Sequence, residues 1–199
     1  MQICVCGWWY FPEYYDALLE AVKRGYHTVV VKHRDGETNG LPFVNKDNIG
    51  LEWGAYSYYI DEIWDGESDV LFTQDDVKVK DASFFDWASK ITEDVCSIFH
   101  NNADARYNGE AHGRMIFMSS RFLLGAQKLG GFWYDKGNHG FIAKGNYRSE
   151  TPPPGSSHHN AGIHNFLKLV PRVRKESPEI KRRTFLCSPK IVLGRRGKL

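Results

Sequence analysis

Residues 70–78 read VLFTQDDVK, an apolar run that leads into Gln74 and two adjacent aspartates, Asp75 and Asp76. The run VLFT is typical of a buried strand in a parallel sheet. Two like charges repel each other at a strand end, so the pair destabilises the fold locally unless a cation or a donor-rich ligand lies beside it. The stretch therefore predicts a core strand with a ligand site at its carboxyl end.

Two more apolar runs precede this strand. Ile3–Cys6 and Thr28–Val31 read as buried strands, and the residues between them place apolar side chains at helical spacing. Pro12 and Glu13 suit the first turn of that helix, and Gly25 suits its end. Strand, helix and strand at this spacing form a βαβ unit with parallel strands.

The fold class follows from this unit. We predict an α/β protein with a mainly parallel central sheet and helices on both faces, a Rossmann-like arrangement. Ile3–Cys6, Thr28–Val31 and Val70–Phe72 should be adjacent core strands. Periodicity farther along the chain predicts a strand over 114–120 and helices over 51–64, Phe84–Phe99, 121–130 and 164–171.

Composition fits an ordinary globular protein. The chain has 199 residues, 42% of them hydrophobic and 25% charged, a length that suits one domain. The net charge is +2, and the basic excess lies near the carboxyl end. Residues 171–199 are therefore expected to be a solvated terminal segment or to make a weak contact with an anionic surface. No nucleic acid partner is expected.

The cysteines and the apolar stretches favour a cytoplasmic protein. Cys4, Cys6, Cys96 and Cys187 show no CxxC spacing, which favours reduced, buried thiols. The first apolar run has no basic leader and is interrupted by Pro12. No apolar stretch reaches the ~20 residues that a membrane span needs.

Polar residues follow the predicted strands at one edge of the sheet. Gly7 and Trp8 follow the first strand, residues 32–35 follow the second, and Asp75 and Asp76 follow the third. Ligands of open α/β sheets bind at the carboxyl ends of the strands. Mn²⁺ and Mg²⁺ prefer carboxylate and phosphate oxygens, so the acidic pair predicts a metal-assisted diphosphate site. Alternatively, the two aspartates cap the next turn.

Residues 48–76 resemble the nucleotide-sugar glycosyltransferases of the GT-A fold. Asn48 and Gly50 match the Asn-x-Gly segment that opens a helix in those enzymes. Residues 74–76 occupy the three positions of the DxD motif, with glutamine in place of the first aspartate. The resemblance extends over residues 1–145 and is most specific over 48–76.

The resemblance assigns roles to the residues of this edge. It implies that Asp76 binds the metal, Mn²⁺ or Mg²⁺, and that Asp75 assists or contacts the ribose of the donor. It implies that the other donor-binding residues are Gly7, Trp8, Arg34, Asp35, Asn48 and Gly50.

The resemblance also points to a catalytic base. In related enzymes this carboxylate follows a Gly-Gly-Phe-like turn, which makes Asp135 the candidate and leaves Asp104 and Glu110 in reserve. Asp135 could equally be a turn former beside Lys136.

A loop with the sequence TPPPGSSHHNAG, residues 151–162, carries two adjacent histidines. Many enzymes of the resembled family complete the metal site with a histidine, so His158 or His159 is expected to be a ligand on a loop that closes over the donor. His139 is a weaker candidate. A zinc site is disfavoured because no cysteine lies nearby.

The expected function is a metal-dependent transfer of a sugar from a UDP-sugar to a glycan, a glycoprotein or another hydroxyl acceptor. Within the single domain, residues 1–100 would bind the donor, 101–170 would form the acceptor side and closing loop, and 171–199 the basic segment. Two alternatives remain. One is a metal-dependent nuclease or phosphoesterase, and the other is a non-catalytic carbohydrate-binding protein whose aromatics bind while its aspartates only cap.

Overall fold

The computed structural model of the chain describes residues 1–47, 51–99, 114–130, 166 and 169–193. The strands are β1 (Gln2–Gly7), β2 (His27–Lys32), β3 (Phe43–Asn45), β4 (Val70–Gln74), β5 (Val77–Val79), β6 (Val95–Phe99), β7 (Met115–Met118), β8 (Arg182–Cys187) and β9 (Ile191–Leu193). The helices are α1 (Pro12–Lys23), α2 (Leu51–Glu62), α3 (Ser83–Ala88) and α4 (Ser120–Lys128), and residues 169–176 are also helical. Among the described helices, none has the length and apolar character to cross a membrane.

Most of these strands form one mixed sheet with the order β3-β2-β1-β4-β7-β6-β8. β1 is parallel to β2 and to β4, β2 is parallel to β3, and β6 is parallel to β8. β7 is antiparallel to both of its neighbours, β4 and β6. The predicted mainly parallel sheet and the adjacency of its three core strands are therefore confirmed. β5 and β9 pair in a small antiparallel sheet that the sequence did not predict.

The sheet carries a hydrophobic core on each face. Along β1, Cys4 and Cys6 pack with residues of α2 and α4, whereas Ile3 and Val5 pack with residues of α1 and α3. All four side chains are at most 4% exposed. Burying a side chain such as Ile3 or Val5 stabilises the fold by about 1.5–3 kcal/mol, which holds the helices against the sheet. The prediction of helices on both faces is confirmed.

Cys4, Cys6 and Cys96 are free thiols. Cys4, Cys6 and Cys96 are buried as expected, and burial raises the pKa of the Cys4 thiol well above its usual range. A buried neutral thiol packs as a small apolar group. The expectation of a buried thiol is wrong for Cys187, which is exposed.

The signals at the ends of α1 are confirmed. Pro12 is the first helical residue and Glu13 lies in the first turn, where a negative charge is favourable near the helix amino terminus. Gly25 follows the helix with a φ of 89°, a left-handed conformation that glycine adopts without a steric penalty.

The predicted helix over Phe84–Phe99 is wrong in its second half. α3 ends at Ala88, and residues from Val95 onward form β6 instead. β6 pairs with β7 on one side and with β8 on the other, so its hydrogen-bond partners come from distant parts of the chain. These long-range pairs outweigh a local helical preference that is weak in any case for valine.

Two expectations about the carboxyl-terminal part are also wrong. The helix does not stop at Pro171, because Val170 and Val173 on either side are buried and the helical residues continue to 176. Residues 182–193 are not a solvated tail, since β8 extends the main sheet and β9 pairs with β5. Burial of Ile180 and Ile191 supplies the apolar contacts for this pairing.

Asp94 ties together three segments that are distant in sequence. Its carboxylate accepts hydrogen bonds from Ser119 Oγ at 2.6 Å, from Arg121 Nη2 at 2.7 Å and from the Lys181 backbone N–H at 2.7 Å. Burial alone would raise the pKa of Asp94, but these donors outweigh burial and hold the pKa below its usual range. The charged carboxylate therefore contributes to stability.

We expect Asp94→Asn to lower the free energy of unfolding by about 2–3 kcal/mol at neutral pH, because the three donors lose a buried, charged acceptor. Arg121 is half-exposed, so solvent screening reduces its contribution to this stabilisation. Since the folded-state pKa is lowered, this stability is present above the unfolded pKa of ~3.9 and is lost as pH falls through the folded value. Urea unfolding at neutral and acid pH should show that the difference in the free energy of unfolding between wild type and Asp94→Asn becomes smaller in acid. Exposed Glu20→Gln is the control, and a gap independent of pH would contradict the assignment.

Candidate functional site

The carboxyl ends of β1, β2 and β4 meet at one edge of the sheet, here called the rim. The His33 backbone N–H donates to the Gly7 carbonyl at 3.2 Å, which joins the ends of β2 and β1. The Asp75 backbone N–H donates to the Cys6 carbonyl at 3.3 Å, which joins the ends of β4 and β1. The predicted meeting of the three strand ends is confirmed.

Asp75 is fully buried and accepts hydrogen bonds from three consecutive backbone amides. The N–H groups of Trp8, Trp9 and Tyr10 lie 3.0, 2.9 and 2.7 Å from its carboxylate, and the Tyr15 hydroxyl donates at 3.2 Å. Burial raises the pKa of Asp75, and the three amides oppose that rise. The carboxyl group thus lies in a nest of backbone donors.

Residues 8–11, here called the aromatic loop, are held in an unusual conformation. Tyr10 has a φ of 55°, which a bulky side chain rarely adopts. Its hydroxyl donates to the Arg34 carbonyl at 2.7 Å, and its ring stacks on Tyr15 with centroids 5.7 Å apart. A Cβ at Gly36 would lie 2.1 Å from the Tyr10 ring, so this contact requires glycine. The interactions around Tyr10 compensate for its backbone strain.

Four of the predicted donor-binding residues lie at the rim, namely Gly7, Trp8, Arg34 and Asp35. The Arg34 guanidinium lies 5.0 Å from the centroid of the Trp8 ring, directly beyond Gly7. Trp8 is half-buried, while Arg34 and Asp35 are exposed. This arrangement leaves a cation and an aromatic ring next to each other, facing solvent.

Asp76 is buried, with 2% of its surface exposed, and it forms an ion pair with Arg114 at 3.3 Å between Nε and Oδ2. Within the described residues, no group of three or more histidine, cysteine or acidic side chains could hold a metal ion. Asp76 is therefore a single candidate ligand there, and the described part of the chain does not complete a metal site.

Glu52 is an acidic residue of the rim that sequence reasoning missed. It is 4% exposed and lies in the first turn of α2. Burial, followed by the charges of Glu52, Asp75 and Asp76, raises the pKa of the Cys6 thiol well above its usual range, so all three carboxylates lie near the end of β1. A glutamate within the apolar and aromatic stretch LEWGAYSYY was the signal available in the sequence.

Lys32, the last residue of β2, was expected at this edge but was given no role. It is 9% exposed, and its ammonium lies 4.4 Å from the centroid of the Phe43 ring and 5.9 Å from that of Tyr10. A lysine at the end of the apolar run TVVV, followed by His33 and Arg34, could have identified a cationic strand end.

Several predicted site residues lie outside the described residues, and their roles remain predictions. They are Asn48, Gly50, Asp104, Glu110, Asp135, His139, His158 and His159.

Comparison of the sequence with protein-family models and with curated proteins gives no match. Solved structures similar to this chain include the following two. One is HddC from Yersinia pseudotuberculosis complexed with GMP-PN, with 9% identity and a TM-score of 0.39 over 61% of this chain and 77% of that chain. The other is a glycosyltransferase involved in the glycosylation of the major capsid of PBCV-1, with 11% identity and a TM-score of 0.35 over 83% of this chain and 98% of that chain. Sequence identities and TM-scores this low do not show what the chain does.

Proposed function

We propose that this chain is a metal-dependent glycosyltransferase that moves a sugar from a UDP-sugar to a hydroxyl group of a glycan or glycoprotein. The observation that carries the proposal is the link between Asp75, at the end of β4, and the amides of the aromatic loop at the end of β1. It makes the acidic pair and the aromatic side chains parts of one assembly at the edge where α/β sheets bind ligands.

The proposal gives each group a role. Asp76 would bind Mn²⁺ or Mg²⁺, with His158 or His159 as a further ligand, and such an ion neutralises charge on a leaving diphosphate. Trp8 and Arg34 would contact the nucleoside, and Asp135 would deprotonate the acceptor hydroxyl. Asp75 would act mainly by fixing the aromatic loop, because its carboxylate already accepts three amide hydrogen bonds.

Thermal unfolding with a panel of nucleoside diphosphates, with and without Mn²⁺, tests the proposal. UDP should stabilise the protein only with Mn²⁺, by ~2.7 kcal/mol at a free concentration of 100 times Kd. ADP and GDP at equal concentration are the controls for nucleoside selectivity. Indifference to all three nucleotides in the presence of metal would refute the proposal.

A non-catalytic carbohydrate-binding protein is the second candidate, and one observation favours it. Asp75 caps backbone amides, as that alternative requires, and Trp8, Trp9 and Phe11 beside it are half-buried aromatic side chains. Aromatic rings with one exposed face are suited to stacking on sugars. Stabilisation by an oligosaccharide without nucleotide or metal would support this candidate over the first.

A further inference from the structure

Lys32 carries a buried charge without an anionic partner in the described part of the chain. Its ammonium contacts the rings of Phe43 and Tyr10, and among the described residues it makes neither an ion pair nor a hydrogen bond. The side chain is only 9% exposed. Lysine is almost never buried in this way unless it is paired.

The contacts with aromatic rings compensate for only part of the lost hydration. A cation over a ring is attracted by the ring quadrupole, but that attraction is smaller than the cost of removing an ammonium from water. The ammonium also has three N–H donors, and a ring face offers none of them an oxygen acceptor. An anionic oxygen group next to Lys32 would compensate for both deficits.

The structure constrains the surroundings of this ammonium tightly. Tyr10 keeps its left-handed backbone conformation, and glycine at position 36 leaves room for its ring. A Cβ at Gly7 would lie 2.9 Å from Val30 Cγ1 and 3.1 Å from the Tyr10 hydroxyl oxygen, so glycine is favoured here too. The ring beside Lys32 is therefore fixed in place by two positions that exclude side chains.

The buried ammonium lies close to the protein surface. Phe43, whose ring covers the ammonium, is 49% exposed and lies on the edge strand β3. Asp75 and Asp76 are engaged elsewhere, since Asp75 accepts the amides of the aromatic loop and Asp76 pairs with Arg114. Arg34, on the loop after β2, adds a second exposed positive charge.

We propose that Lys32 is an anion-binding residue that takes a phosphate group of a ligand held at the rim. A compact ammonium binds phosphate as a point charge, and phosphate supplies several oxygens for its three donors. The inference involves no metal ion and no sugar transfer, so it holds or fails independently of the proposed function.

The test measures binding of inorganic phosphate to the whole chain by calorimetry, without metal and at constant ionic strength set with chloride. Wild type should bind phosphate, and Lys32→Met should bind it at least about tenfold more weakly, as expected for loss of a charge-assisted interaction. Lys23→Met is the matched control, because Lys23 is an exposed lysine paired with Glu20. It should bind phosphate like the wild type.

A second readout separates binding from a structural role. Lys32→Met removes an uncompensated buried charge, so its melting temperature should be unchanged or higher, while its phosphate affinity falls. Lys32→Gln, which keeps N–H donors but loses the charge, should also lose affinity.

Three outcomes would overturn the inference. The first is equal phosphate affinity in wild type and both Lys32 variants, and the second is no phosphate binding by the wild type. The third is acetate binding as tightly as phosphate, which would reject a phosphate site. The UDP and Mn²⁺ measurement is separate, so failure here leaves the proposed function standing, and the reverse also holds.

Discussion

Asp76→Asn is expected to reduce Mn²⁺-dependent binding of UDP by ~10²-fold or more, since even residues that only support a metal ligand cost 10–100-fold when changed. The substitution keeps the shape of the side chain and removes the charge that a hard cation requires. Calorimetry with Mn²⁺ alone, and then with UDP in the presence of Mn²⁺, measures the effect. Glu20→Gln, an exposed change on α1, should leave both affinities unchanged.

Arg114 provides a test of opposite sign. Its guanidinium lies 3.3 Å from Asp76, so it would compete with a bound metal ion for the same carboxylate. Arg114→Gln should therefore bind Mn²⁺ at least as tightly as the wild type. Weaker Mn²⁺ binding in Arg114→Gln, or equal Mn²⁺ affinity in wild type and Asp76→Asn, would reject Asp76 as the ligand.

Asp75→Asn is expected to lower the free energy of unfolding by about 3 kcal/mol, the largest stability effect we expect from a single change at the rim. Its amide would place a donor against the N–H groups of Trp8, Trp9 and Tyr10, which then lose part of their acceptor. Urea unfolding measures the loss. Glu37→Gln, an exposed acid on the loop after β2, is the matched control and should stay within ~0.5 kcal/mol of the wild type.

Hydrogen exchange gives the local readout for Asp75. The amides of residues 8–10 should exchange faster in Asp75→Asn, because each now lacks a charged acceptor. The exchange rates of amides in the middle of β1 should change only as much as the change in global stability requires. Unchanged protection at residues 8–10 would mean that the aromatic loop is held in some other way.

Much of the central fold could be predicted from short stretches of sequence. The apolar runs at Ile3–Cys6, Thr28–Val31 and Val70–Phe72 are uninterrupted, and Pro12, Glu13 and Gly25 mark the ends of a helix. These signals act within a few residues, so they do not depend on what the rest of the chain does. The same reasoning placed the ends of β1, β2 and β4 at one edge.

β6 and the carboxyl-terminal strands could not be predicted in this way. Residues 95–99 are compatible with a helix when read alone, and residues 182–193 read as a basic tail. Their strand conformation depends on pairing with β7 and β5, which lie far away in sequence. β pairing is set by cross-strand neighbours and burial more than by intrinsic preference.

The candidate site at the rim was likewise predicted only in part. The sequence alone determined that Asp75 and Asp76 end a core strand beside Gly7 and Arg34. Only the tertiary structure decided that the two aspartates differ, with Asp75 accepting amides 65–67 positions away in the chain and Asp76 pairing with Arg114. It also decided that Lys32 is buried. The physical reason is that charge and hydrogen-bond partners depend on distance in space, and a strand end meets groups from several distant segments at once.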